Sequence, residues 1–191
     1  MSKNVDNVRV YGDIDSAVYV GDKGTTFPID PTTPPASGFD ELGWLGEDGI
    51  TESRDVDSDA KKAWQGGVTV RTVRSSDSRR FSFVCLETNA ITSGLVRPGS
   101  VRSTTGGVTH TPVKAFTGSD IRAWIIDTID GDIHTRKNIA RGEVVDIADV
   151  VMNGTDITAY ELTVECYPDT AGVLYDEYTD DPAMAVEDET P

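Results

Sequence analysis

Few residues of this chain have the types and spacing that catalysis or metal binding requires. His110 and His134 each lack a neighbouring Cys, second His or Glu at the spacing of metal ligands, so we interpret both as surface or structural histidines. Cys85 and Cys166 have no C-x-x-C spacing and no paired His. Both lie in predicted strands, where they could be neighbours, and we expect buried, reduced thiols.

Two short strings resemble ligand-binding loops but depart from the required patterns. Residues 127–132 place Asp residues around Gly131, yet the alternating oxygens before the Gly and the later Glu of a calcium loop are missing. This string is better interpreted as a hairpin turn with an acidic rim. Residues 21–26 contain Gly and Lys in the wrong order for a phosphate loop. The sequence therefore predicts neither an enzyme nor a cofactor.

The charge of the chain limits its partners. It has 191 residues and a formal net charge of -16, which argues against a surface that grips nucleic acid or an anionic membrane. No apolar run approaches the ~20 residues of a membrane-spanning helix, and the first ten residues lack the apolar core of a signal peptide. We therefore expect a soluble protein, made in the cytoplasm, with no membrane binding of its own.

The elements that would position any site are predicted to be strands. The chain has 21 Val and 22 Thr but only six Leu, a ratio that favours pleated sheet over helix. Alternating patterns and turn residues predict three hairpins, over residues 68–86 with a turn at 75–78, over 121–137 with a turn at 130–132, and over 143–167. The prediction is an antiparallel β-sandwich or half-barrel of two packed sheets.

Three further segments complete the predicted organisation. Residues 87–96 predict one flanking α-helix of about two to three turns. The Pro-rich residues 23–46 predict a long loop, which in a small domain is usually functional or disordered. Residues 168–191 carry eight acidic and no basic side chains, which predicts a solvated tail or an arm that orders only on a partner. Residues 1–167 would then form the folded domain.

Opposite charges are concentrated in two neighbouring segments. Residues 40–59 have eight acidic side chains against Arg54, whereas residues 71–102 have six Arg against Asp77 and Glu87. Ordinary surface charge with pairing inside the chain explains this distribution. Complementary faces between copies, which would fix their register, explain it equally well. The candidate interface residues in and beside these segments are Trp44, Arg71, Arg74, Arg79 and Arg80.

At residues 39–100 the sequence resembles a known family. The string Phe39–Glu52 (FDELGWLGEDGITE) resembles the opening signature of the major tail protein, or tail tube protein, of long-tailed actinobacterial phages. The Lys62–Gly67 string (KAWQGG) and the Phe81–Asn89 string (FSFVCLETN) follow as in that family. The resemblance covers about residues 10–170.

The resemblance implies a structural protein without catalytic residues. Tail tube proteins fold as two antiparallel sheets with a flanking helix. Six copies join edge to edge in a ring, and the rings stack along a tape-measure protein. The resemblance thus implies a location in the virion tail, assembly in the bacterial cytoplasm, and contacts with tail terminator and distal tail proteins. DNA would meet the chain only in transit through the lumen.

Acidic hairpin positions would suit such a lumen, because an acidic wall lets DNA slide where a basic wall would hold it. The candidate lumen acids are Asp127, Asp130, Asp132, Asp146 and Asp149. Of the three tryptophans, Trp64 and Trp124 are expected in the core, whereas Trp44 is expected to clamp the loop or insert into a partner.

Two other classes of protein remain as alternatives. One is a different virion component, such as a head-decoration or head–tail joining protein. The other is a monomeric ligand-binding β-sandwich, although no convergent cluster of aromatic and polar residues supports it. An enzyme ranks below these classes.

Overall fold

The computed structural model describes residues 3–185. It is mainly β, with 46% strand and 7% helix, which confirms the predicted antiparallel β class with one flanking α-helix. The strands are β1 Ala17–Asp22, β2 Phe39–Glu41, β3 Leu45–Lys62, β4 Thr69–Cys85, β5 Ser103–Thr105, β6 Val108–His110, β7 Arg122–Asp130, β8 Ile133–Ile147, β9 Tyr160–Cys166 and β10 Asp176–Thr179. The helix α1 is Ala90–Val96, and short 3-10 helices lie at Val5–Asn7 and Pro182–Met184.

Eight of the ten strands form one strongly curled antiparallel sheet. Its order is β2-β1-β7-β8-β9-β4-β3, with β10 added beside β8. The strands β5 and β6 form a separate two-stranded sheet. Although β2 and β3 end the strand order on opposite sides, only residues 42–44 connect them. The sheet must therefore fold over itself, and its concave face encloses the core.

The hairpin predicted over residues 121–137 is confirmed. The strands β7 and β8 pair from Asp130 opposite Ile133 onward, and Gly131 adopts the positive φ of +62° that the tight turn requires. The third predicted pair is also present, with Glu143 opposite Glu165. Its first strand is the continuation of β8, so one long strand serves both hairpins.

The hairpin predicted over residues 68–86 is wrong. The strand β4 runs without interruption through the Ser and Asp residues at 75–78. Its partner is β3, and the chain reverses at residues 63–68. There, Gly66 and Gly67 supply the positive φ values of 72° and 67°. Turn-forming side chains are tolerated at 75–78 because this part of β4 is largely exposed and buries no packed face.

The predicted helix is confirmed, and a capping box fixes its start. The Asn89 side chain accepts hydrogen bonds from the N–H groups of Ile91 and Thr92, both at 2.9 Å. The Thr92 hydroxyl accepts the Asn89 N–H in return, at 3.1 Å. With seven residues, α1 makes about two turns. No helix in residues 3–185 has the length and apolar character to cross a bilayer.

The core is built by β1, β4, β7, β8 and β9, with α1 packed against it. Trp124 is 1% exposed, as expected from the sequence, and its Nε1–H donates to the Gly142 carbonyl at 3.1 Å. A Cβ at Gly142 would lie 2.6 Å from Trp124 Cδ1, so this glycine permits the close contact. The expected burial of Trp64 is wrong, because this residue is 95% exposed in the β3–β4 turn.

Both cysteines are buried and reduced, as expected. Cys166 lies opposite Arg79, whereas Cys85 lies opposite Tyr160, so the thiols are six positions apart along the β4–β9 pair and are not neighbours. Desolvation raises the pKa of each thiol to about 12. The buried thiols are therefore protonated near neutral pH.

The long loop is held against β8 through its backbone. Arg136 Nη1 donates to the carbonyls of Asp30 and Thr33, at 3.0 and 2.6 Å. Asn138 Nδ2 donates to the Pro28 carbonyl at 2.8 Å. The strand β2 occupies residues 39–41 of the segment predicted as loop, and residues 23–38 carry no regular structure.

Part of the acidic C-terminal segment lies on its own chain. The strand β10 pairs with residues 135–138 of β8. Beyond it, Asp181 accepts two hydrogen bonds from the Arg9 guanidinium, at 2.8 and 2.7 Å, which joins the two ends of the described chain. These contacts need no partner molecule. Residues 186–191, the rest of the predicted tail, lie outside the described residues.

Candidate assembly surfaces

A two-stranded ribbon extends beyond the rest of the sheet. The strand β9 pairs with β4 only from Arg79 to Cys85, so residues 55–78 pair only with each other among the described residues. We call this ribbon the distal hairpin. It spans about 30 Å at ~3.3 Å per residue, and nearly all its side chains are exposed. An isolated two-stranded hairpin is at best marginally stable in water.

The acidic and basic segments are partner strands of the same hairpin. Arg54 donates from its Nε to Asp77 at 2.8 Å, and this hydrogen bond lowers the pKa of the Asp77 carboxyl. Arg79 Nη1 donates to Glu52 at 2.8 Å, and Arg80 donates to Glu165 on β9 at 3.2 Å. Pairing inside the chain therefore accounts for the charges at the base of the hairpin.

The far end of the distal hairpin has a different composition. Trp64 stands in the turn, and Val68 and Val70 follow it, all three exposed. Lys61 lies directly opposite Arg71 in the register, and like charges at opposed positions destabilise a strand pair. Arg71 and Arg74 form no ion pair with any residue from 3 to 185. We call residues 58–75 the hairpin tip.

A groove lies at the opposite end of β3. Its volume is about 730 Å³, and its apolar lining includes Tyr11, Ile14, Trp44, Leu45 and Ile50. Acidic side chains also line it, and no basic one does. The five are Asp13, Glu41, Glu47, Asp48 and Glu87. We call this feature the acidic groove.

Trp44 is held in the groove wall by its backbone. Its N–H donates to Glu87 Oε1 at 3.1 Å, and its carbonyl accepts the Leu86 N–H at 2.9 Å. Its side chain remains 63% exposed. A fixed backbone with an exposed indole suits an anchor for a partner, one of the two roles expected for this residue beside clamping of the loop. The four candidate arginines lie away from Trp44, because they occupy residues 71–80 of β4, opposite Ser53 to Lys61 of β3, whereas Trp44 lies beside Leu86.

The structure removes Asp127 from the candidate lumen acids. Its carboxylate is buried and binds the Arg136 guanidinium through two hydrogen bonds, at 2.7 and 2.6 Å. Arg136 is itself only 3% exposed. The pair is neutral overall and is enclosed by the protein. Asp127 therefore presents no charge on the surface of the subunit.

The other four candidate lumen acids fall into two groups. Asp130, which accepts the Val10 N–H at 3.1 Å, and the exposed Asp132 flank the β7–β8 turn. Asp146 and Asp149 are exposed near the opposite end of β8. The two groups are separated by most of a 15-residue strand, so one subunit does not bring them together.

The described residues hold no group of three or more His, Cys, Asp or Glu side chains placed to bind a metal ion. His134 instead has a structural environment. The backbone N–H of His134 donates to Asp180 Oδ1 at 2.7 Å, and the ring Nδ1 lies 3.0 Å from Asp180 Oδ2. His110 is exposed on β6. These positions fit the predicted surface and structural roles.

Sequence reasoning missed the hairpin tip because it placed the turn at the wrong position. Gly66 and Gly67 carried the signal, since adjacent glycines between alternating strands mark a turn. The exposed Trp64 and the opposed Lys61 and Arg71 follow from that turn. The acidic groove had no local signal, because the chain builds it from the N-terminal segment, the start of β3 and Glu87.

The described chain is a curled β body with two exposed features, a projecting ribbon and an acidic, partly apolar groove. A family model described as phage tail tube protein matches residues 1–187. The chain therefore belongs to the phage tail tube protein family, as the resemblance indicated, and is a structural component of the virion tail rather than an enzyme. No curated protein matches the chain.

Proposed function

We propose that copies of this chain assemble into stacked hexameric rings that form the tail tube, a conduit for DNA during ejection into the host. The observation that carries this proposal is the distal hairpin, which projects from the body with nearly every side chain exposed. Such a ribbon gains stability when a neighbouring subunit covers it. Assembly would take place in the host cytoplasm.

The open edges of the large sheet provide a second kind of contact. The sheet order ends at β2 on one side and at β3 on the other. The outer edge of β3 has no partner strand among residues 3–185, and it leaves backbone N–H and C=O groups available along 18 residues. Edge strands of this kind pair readily with another chain. Pairing between subunits would join their sheets into one wall.

The charge of the chain suits a passage for DNA. The net charge of -16 disfavours binding to phosphates, since a basic footprint is what holds nucleic acid. We propose Asp130, Asp132, Asp146 and Asp149 as contributors to the lumen wall. Within one subunit the two groups would lie at different heights along the tube axis. Groups from neighbouring subunits could lie at the same height. DNA would pass without sequence-specific contact.

Other tail proteins would complete the assembly. The rings would stack along the tape-measure protein. Tail terminator and distal tail proteins would bind the two ends, where one face of a ring lacks its neighbour. The chain itself would bind no membrane.

Negative-stain electron microscopy of the purified, concentrated protein tests the proposal. Hollow tubes or stacked rings are expected. The same preparation should be repeated with tail-tip complexes from infected cells, because some subunits polymerise only on an initiator. Dispersed single particles under both conditions would contradict the proposed self-assembly.

A further inference from the structure

We propose that the hairpin tip of one copy docks into the acidic groove of a second copy. This inference rests on the proposed self-assembly and assigns to it a specific pair of surfaces. The tip is residues 58–75, with Trp64 at its end, and the groove contains Trp44 in its wall.

The tip cannot reach the groove of its own chain. Both features lie on β3, the groove at Leu45–Ile50 and the tip at its end near Lys62. An extended strand rises ~3.3 Å per residue, so about 40 Å separates Ile50 from the turn. The strand β3 is paired with β4 along this length and does not fold back. A hairpin tip that occupies the groove must therefore come from another copy of the chain.

The apolar surfaces of the two features match. The tip carries Trp64, Val68 and Val70, all exposed. The groove offers the exposed side chains of Ile14 and Trp44, and its volume of about 730 Å³ is ample for an indole ring with its neighbouring valines. Aromatic side chains that enter a pocket of this kind are the usual anchors of interfaces.

The charges of the two features are complementary. The tip has four basic side chains and one acidic one, Asp59. The basic residues are Lys61, Lys62, Arg71 and Arg74. The groove is lined by five acidic side chains and no basic one. Complementary charge of this kind steers association and fixes the register of the docked surfaces.

The register of the hairpin supports an anionic partner. Lys61 lies opposite Arg71, a repulsive arrangement within one chain. Arg54 and Arg79 are also opposed, but each binds a carboxylate of its own chain, Asp77 and Glu52 respectively. Among the basic residues of the tip, only Lys61 pairs with a carboxylate of the described residues, that of Asp59. Carboxylates of the groove would relieve the remaining repulsion.

Docking of this kind propagates. The tip and the groove are different surfaces, and each copy carries one of each, so the contact is head-to-tail. Head-to-tail contacts produce a closed ring or an open helical array, according to the rotation between copies. Both outcomes are compatible with a tube, and neither would arise from a two-fold dimer.

Thiol cross-linking tests the contact directly. Gln65→Cys places a thiol at the tip and Asp48→Cys places one at the groove, and both positions are exposed. The native Cys85 and Cys166 are buried and should not react. When the two variants are mixed and treated with a short bismaleimide, we expect a heterodimer, and a chain with both substitutions should give a ladder of oligomers. The control pairs Gln65→Cys with Val101→Cys, an exposed position outside the groove lining.

Reversal of the charges tests the chemistry of the contact. Arg71→Glu with Arg74→Glu, or Glu47→Arg with Asp48→Arg, should lower the yield of the cross-link by about tenfold or more. The two reversed proteins, mixed together, should recover it. For this series the cysteines are placed at Gln65 of the tip and at the exposed Asp13 of the groove, and circular dichroism verifies folding.

The outcomes separate this inference from the proposed function. If the protein forms tubes but gives no tip-to-groove cross-link above the control, the docking is overturned and the proposed tube function is unaffected. A cross-link in a protein that never forms tubes would support the docking and contradict the tube. Loss of the cross-link on reversal without recovery in the mixture would show that the two charged sets do not face each other, which also overturns the docking.

Discussion

At the scale of single residues, the structure separates ion pairs that stabilise the subunit from charges that remain available to partners. Asp127 and Arg136 form a buried pair, and Arg136 also binds two carbonyls of the long loop. By contrast, Arg54 and Asp77 pair at the exposed base of the distal hairpin. Burial decides which pair matters for folding, because the loss of one partner leaves a buried charge without compensation.

Asp127→Asn should destabilise the subunit far more than Asp77→Asn. We expect a decrease of about 3 to 5 kcal/mol in the free energy of unfolding for the first substitution. For the second we expect less than about 1 kcal/mol, since solvent screens the exposed pair. Urea denaturation of the unassembled subunits measures both values. Equal losses would contradict the assignment of Asp127 as a structural rather than a lumen residue.

The native thiols should be unreactive in the folded subunit. Burial raises the pKa of the Cys85 and Cys166 thiols to about 12, so the nucleophilic thiolate is scarce at mildly alkaline pH. A thiol reagent such as Ellman's reagent should therefore detect no thiol before denaturation and both cysteines after it. Rapid reaction of the native protein would show that the β4–β9 pair opens readily.

Asp30 should remain ionised in acid. Hydrogen bonds from Thr33, and further ones from Thr32, lower the pKa of its carboxyl from 3.8 to about 2. Since the folded pKa is the lower one, this group stabilises the folded loop above pH 3.8, and the contribution is lost as the pH falls towards 2. The carboxyl carbon titration followed by NMR measures this midpoint. A value near 3.8 would mean that the turn at Asp30 does not form in solution.

At the scale of elements, the distal hairpin is separable from the folded body. Its residues pair with each other and not with the rest of the sheet, whereas the core is built by β1, β4, β7, β8 and β9 with α1. The hairpin therefore contributes little to the packing of the body, which agrees with the assembly role that we propose for it.

Replacement of residues 57–76 by Asn-Gly should leave the body folded and abolish assembly. Asp57 lies opposite Ser76, so a two-residue turn can close the shortened hairpin at Val56 and Asp77. Thermal unfolding should change little, because the removed segment contains almost no buried side chain. Electron microscopy should show no tubes. Tubes of normal appearance from the shortened protein would contradict the role of the hairpin.

Periodicity and turn residues predicted the β class, the β7–β8 hairpin and the helix, because these elements contribute buried residues to the core and carry strong turn and cap signals. The β3–β4 hairpin escaped prediction for the opposite reason. Its exposed strands alternate without a buried face, so Ser75 and Asp77 resembled a turn while Gly66 and Gly67 formed the real one. The adjacent glycines were the stronger local turn signal, but no buried face was present to show that residues 75–78 continue a strand.

The exposure of the candidate interface and lumen residues differs from one residue to the next. Trp44 is exposed as an anchor should be, and Arg71 and Arg74 lie on an exposed ribbon. Arg79 and Arg80 instead have carboxylate partners in their own chain, and Asp127 is buried. Whether a charged side chain faces solvent or a partner on the next strand depends on the strand register. The register is set by contacts between residues far apart in the sequence, so it cannot be predicted from composition.

At the scale of the whole molecule, the acidic excess of the chain acts through the assembled lumen that we propose. Asp132, Asp146 and Asp149 are exposed in the subunit. In the proposed tube they repel the phosphates of DNA. The effect is cumulative over many rings, so small changes in one subunit are repeated along the tail.

Reversal of Asp132, Asp146 and Asp149 to Lys should slow DNA ejection without preventing tube assembly, because a basic wall binds phosphates. Asn at the same positions should give an intermediate rate, which separates loss of repulsion from new attraction. Ejection from phage particles carrying the variants can be followed by the fluorescence of a DNA-binding dye. Unchanged ejection in particles with normal tails would place these residues outside the lumen.

Helical reconstruction from electron cryo-microscopy of the assembled protein tests the central claim most directly. The account predicts a hollow tube with six copies per ring, a wall in which the β3 edge pairs with a neighbouring subunit, and distal hairpins covered by adjacent copies. An assembly without a central channel, or a tube whose distal hairpins extend uncovered into solvent, would contradict it.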